Sequence, residues 1–162
     1  MNDKFIDDDD FSDTSVLPYV ATGISVSAIF IGVTVVTQRL LLCSGITMAL
    51  FALLSVCCTK LVTAKWRMSS ATGQNEILLQ AWAIYAFGFS AVLVFTDVAI
   101  DCPAHKNAVA IVLACVTLIS VLWDCKVGCI NRAPFFAFPA LLNAIVATTS
   151  IVCISLGACG LS

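Results

Sequence analysis

The stretch Tyr19-Val-Ala-Thr-Gly-Ile-Ser-Val-Ser-Ala-Ile-Phe-Ile-Gly-Val-Thr-Val-Val36 decides the fold. Its 18 residues include no Asp, Glu, Lys, Arg or His. As a helix rising 1.5 Å per residue it reaches about 27 Å, close to the ~30 Å of bilayer hydrocarbon. A transmembrane strand needs polar and apolar residues to alternate, and this stretch does not alternate. In lipid every backbone N–H and C=O needs an internal partner, which a helix supplies within itself.

Four similar stretches follow, at residues 40–58, 77–95, 108–123 and 137–159. The fourth has only 16 residues, from Ala108 to Trp123. It crosses if the bilayer thins locally or if Asn107 and Asp124 serve as interfacial caps. The expectation is an all-α, polytopic transmembrane helix bundle of about five spans, or four if that stretch does not cross. With 60% hydrophobic and 11% charged residues, the chain has too much apolar surface for a water-soluble core of this size. The first stretch reads as a retained membrane helix and not a signal peptide, because the residues before it are acidic.

Residues 1–18 read as a disordered acidic cytosolic tail, with residues 19–162 forming the bundle. Six of the ten acidic residues lie in the first 13 positions, and Asp7 to Asp10 repel one another in any compact form. Residues 37–39 make a tight hairpin, and residues 59–76, 96–107 and 124–136 form loops too short for a soluble domain. Basic residues favour one side. Lys4, Lys60, Lys65, Arg67, Lys126 and Arg132 share it in a five-span chain, against Arg39 and Lys106 opposite. The positive-inside rule then places the N-terminus in the cytosol and the C-terminus outside or in a lumen. A four-span chain returns the C-terminus to the cytosol.

A net charge of −2 argues against nucleic acid as a partner. No glycine-rich phosphate loop is present, and no cofactor or metal is expected. The one histidine, His105, stands beside Asp101 and Cys102 without a second histidine, and reads as a solvated loop residue. No catalytic site is expected.

Nine cysteines are the most unusual feature. Cys57, Cys58, Cys125 and Cys129 fall at the cytosolic membrane edge, where cysteine accepts S-palmitoylation. Two other readings stand beside it: small lipid-compatible side chains, and a zinc site, against which the spacing argues for want of a Cys-x-x-Cys pair. Across the membrane, Cys102 is a disulfide candidate with Cys159 or Cys43 if the lumen is oxidising.

Small residues recur at four-residue spacing, which lets helix backbones approach closely. Gly23 and Ser27, Ala28 and Gly32, Ala86 and Ser90, and Ala140 with Ala144 are such pairs. Gln80 and Asn143 are candidate interhelical hydrogen-bond formers. Asp97 reads as interfacial. Tyr19, Trp66 and Trp123 match an aromatic belt. In the tail, Ser12, Thr14 and Ser15 beside the Asp run are candidates for phosphorylation in an acidic sorting signal.

In build, through its size, acidic tail and many cysteines, the chain is similar to small multi-spanning envelope or vesicle proteins of eukaryotes and their large DNA viruses. No motif carries that likeness, so it implies no residue roles. The expected function is non-enzymatic: helix packing with the bilayer and with another integral membrane protein or itself, in trafficking, assembly or envelope and vesicle organisation. Two alternatives are a small oligomeric channel or transporter subunit, with Gln80, Asn143, Thr34 or Thr148 on its path, and a viral multi-spanning envelope protein.

Overall fold

A computed structural model describes residues 16–65, 74–131 and 134–157. Among them there is no strand. The helices are α1 (Leu17–Thr37), α2 (Leu40–Cys57), α3 (Thr59–Lys65), α4 (Gln74–Ala99), α5 (Pro103–Asn131) and α6 (Ala137–Ser155), with a 3-10 turn at Pro134–Phe136 before the last. Five of these are long and apolar enough to cross a bilayer, and only 22–33% of each spanning window is buried inside the bundle. Much of the rest is apolar side chain facing outward, such as Val36, Tyr85 and Leu122. A surface of that kind is compatible with lipid and not with water.

Local chemistry explains the helices. Hydroxyl groups at Thr22, Ser25, Thr47, Ser55, Thr117, Thr148 and Ser150 donate to the carbonyl four residues earlier, at 2.7–3.0 Å. That bond satisfies the donor inside its own helix, so polar side chains survive in an apolar setting. Pro18 sits in the first turn of α1, where its missing N–H breaks no bond. Between α1 and α2 the chain reverses at Gln38, whose φ of 54° is left-handed and whose N–H donates to the Thr34 carbonyl at 2.8 Å.

Packing divides the bundle into two groups. One is α2 against α4; the other is α6 with α5 on one flank and α1 on the other. Gly45 sets the first seam: a Cβ there meets the Ser90 carbonyl oxygen at 2.9 Å, so the α2 and α4 backbones are nearly touching. Ala52, Ala83 and Ala86 continue that seam. Between α1 and α6 the contact at Gly23 is with a side chain, Leu141, which rests on it. Towards one end of the bundle the groups join through a core that includes Phe30, Leu41, Leu93, Leu113 and Leu142. Towards the other, Val62, Leu79 and Phe136 form a smaller cluster.

The helices are longer than the apolar stretches. The segments read as loops at 96–107 and 124–136 are largely helical, because α4 continues to Ala99, α5 runs from Pro103 to Asn131, and α3 occupies the start of 59–76. The stretch of 16 apolar residues thus belongs to a helix of 29, and its length gives no reason to drop a span. Charged residues taken as boundaries lie inside helices because the bundle gives them partners or cover. Asp97 is one, being 7% exposed two residues before the end of α4. Arg39 Nε donates to its Oδ2 at 2.7 Å, tying the start of α2 to the end of α4.

Candidate functional site: a chamber with polar ends

Between the two helix groups lies a chamber of 660 Å³. Its walls come from α2, α4, α5 and α6. Along α4 it runs from Leu78 to Phe89, which at the helical rise is about 16 Å. Phe51, Trp82, Phe89 and Phe136 give it an aromatic lining. The Phe51 and Trp82 rings meet edge to face, centroids 5.8 Å apart.

Asp124 stands at one end. It is 8% exposed, seven residues before the end of α5. Asn143, on α6, donates from Nδ2 to its Oδ2 at 3.0 Å. Among the described residues the ion pair is Arg39–Asp97, so Asp124 has a neutral partner and no cationic one. At the opposite end is Ser44, four residues into α2 and fully buried. Its Oγ has no hydrogen-bond partner, unlike most hydroxyls in the bundle. A buried polar atom without a partner costs about 1–3 kcal/mol, and with no exposed surface Ser44 closes that end of the chamber.

The chamber opens sideways. Helices α4 and α5 touch only lightly, and Leu78, Tyr85, Ile119 and Trp123 line the chamber while also being exposed on the outer surface. Any molecule entering there comes from the lipid phase.

Asn143 thus makes an interhelical hydrogen bond, to Asp124, which lies within α5 and does not cap it. Gln80 makes none among the described residues: it is exposed on the outer face of α4. Gly23 and Ser27 are buried against the bundle, Ala140 and Ala144 are half-buried on α6, and Gly32 faces outward with nothing within 4 Å of an added Cβ. Thr34 is buried, Thr148 exposed and Gln80 outside, so one chain does not gather them with Asn143 along a common path.

Cys57, Cys125 and Cys129 are exposed and Cys58 is half-buried, all at the end of the bundle where α2 and α5 finish. Cys43 is buried and Cys102 exposed, both as free thiols; Cys159 lies outside the described residues, as do Ser12, Thr14, Ser15 and Trp66. Among the described residues no three His, Cys, Asp or Glu side chains come together to hold a metal. His105 is exposed on the first turn of α5 and not in a loop.

Asp124 and Ser44 are the residues that reading the sequence missed. A signal for Asp124 exists: apolar Val127 and Ile130 follow it at helical spacing, so the helix does not stop at Trp123.

These features define a membrane-embedded, multi-pass helical bundle with a lipid-facing internal chamber. Set against known proteins, the chain matches no family model, no curated protein and no solved structure.

Proposed function

We propose that this is a non-enzymatic membrane protein that packs its helices against another integral membrane protein, in trafficking or assembly. One observation carries the reading. On α4, Gln80, Ile84, Gly88, Ala91 and Phe95 form an outward row at spacings of four, four, three and four residues. The row lies on one face of the helix. It combines an amide without a hydrogen-bond partner among the described residues and a mid-helix glycine with nothing within 4 Å of an added Cβ. Gly in a helix interior costs about 1 kcal/mol relative to Ala. A close-approaching neighbour gives that cost a reason, and an interhelical bond to Gln80 adds about 0.6–2 kcal/mol.

The short connections leave little folded surface outside lipid, which favours recognition between helices. In this reading the N-terminus is cytosolic, as the distribution of Lys and Arg supports. The exposed Cys57, Cys125 and Cys129 are then thioester acceptors at the cytosolic edge. The acidic segment 7–15 acts as a sorting signal.

The test is affinity purification of the full chain in mild detergent. Gly88→Ile combined with Gln80→Leu should deplete the co-purifying membrane protein at least about fivefold, corresponding to about 1 kcal/mol. Undiminished recovery refutes the α4 row as the docking face.

A further inference from the structure

We propose that the chamber between the helix groups binds an elongated amphiphile with a protonated amine head, taken from the surrounding lipid. The proposal is independent of the α4 docking row, which faces away from the chamber.

Four observations converge on this ligand class. The first is size: at 660 Å³ the chamber lies within the roughly 300–1,000 Å³ of small-molecule sites. The second is charge. Asp124 presents a carboxylate that is 8% exposed, held by neutral Asn143, with no cation paired to it among the described residues. A buried anion of this kind is stabilised by a cation that arrives with the ligand. The third is the lining. Trp82, Trp123 and Phe51 surround the same space, and aromatic rings attract ammonium groups while accepting apolar chains. The fourth is access, through the lateral opening between α4 and α5, with Tyr85 and Trp123 on its rim.

Orientation follows from the positions of the polar groups. Asp124 and Ser44 occupy opposite ends of an elongated space. The amine head sits at Asp124 and the apolar body runs along α4 towards Ser44. An anionic amphiphile is disfavoured at Asp124 by like charge, and a neutral one leaves the carboxylate without its counter-charge.

The test uses the full chain in phosphatidylcholine nanodiscs and reads quenching of tryptophan fluorescence. The probe is 11-bromoundecylamine, and 11-bromoundecanol of the same length is the uncharged comparison. Saturable quenching by the amine should occur at about tenfold lower concentration than by the alcohol. Asp124→Asn keeps the side-chain volume and should erase that preference while leaving alcohol quenching in place. Should Asp124→Asn fail to fold, Ser120→Phe replaces it: the added ring fills the chamber wall and should abolish saturable quenching by both probes. Equal wild-type affinity for the two probes overturns the proposal. So does a preference that survives Asp124→Asn, or saturable quenching that survives Ser120→Phe.

Discussion

Three glycines on three different faces provide a graded test of the packing. At Gly45 a new Cβ lies 2.7 Å from Val94 Cγ2, 2.9 Å from the Ser90 carbonyl oxygen and 3.3 Å from Leu93 Cβ. Val94 can turn aside, but the Ser90 oxygen belongs to the α4 backbone and cannot. Relief requires α2 and α4 to separate along their seam, which loosens Ala52, Ala83 and Ala86 as well. Overpacking of this kind costs about 1–3 kcal/mol, against a gain of up to about 1 kcal/mol in helix propensity, so Gly45→Ala should lose about 1–2 kcal/mol. At Gly23 the nearest atom is Leu141 Cδ2 at 2.9 Å, the far end of a flexible side chain. Gly23→Ala should therefore change stability by no more than about 0.5 kcal/mol. At Gly32 an added Cβ meets nothing within 4 Å. Gly32→Ala should match or exceed the parent chain, by up to about 1 kcal/mol. Equilibrium unfolding in mixed micelles of rising SDS mole fraction, followed by far-ultraviolet circular dichroism, measures all three. The reasoning fails if Gly45→Ala proves as stable as Gly32→Ala.

The same titration examines the Arg39–Asp97 pair, whose side chains are 38% and 5% exposed. Arg39→Gln strands a buried carboxylate and should cost about 3 kcal/mol. Asp97→Asn leaves a guanidinium that reaches the interface and should cost only about 1 kcal/mol. Equal costs would show that the burial asymmetry has no energetic weight. For sorting and acylation, hydroxylamine-sensitive palmitate should fall more on Cys57→Ser than on Cys58→Ser, since Cys57 is the exposed thiol. Deletion of residues 7–15 should redistribute the chain between compartments. Unchanged labelling and unchanged distribution would remove these two roles.

Five apolar stretches were legible in the sequence, and so was the hairpin at Gln38–Arg39. Uncharged runs of spanning length in a chain too apolar for water leave a helical bundle in lipid as the stable solution. Helix ends were less legible. Asp97, Lys106 and Asp124 looked like boundaries because an ionisable side chain in bare hydrocarbon is costly. Each instead lies in a helix, and each is buried in the folded chain. Asp97 is neutralised by Arg39, 58 positions away in sequence, and Asp124 is hydrogen-bonded by Asn143. Such pairings depend on which helices become neighbours.

Which small residues face inward depends on the same arrangement. Gly23 and Ser27 turn towards the bundle, while Ala28 and Gly32, one residue pair further along α1, turn away. Spacing alone gives both pairs equal standing, because a four-residue repeat marks a helix face without saying what lies opposite. The sequence by itself determined the class of this protein, since apolar length and the need to pair backbone groups in lipid are local properties. Only the tertiary structure decided the chamber, its carboxylate and its lateral opening. They arise where four helices, α2, α4, α5 and α6, stop short of filling the space between them.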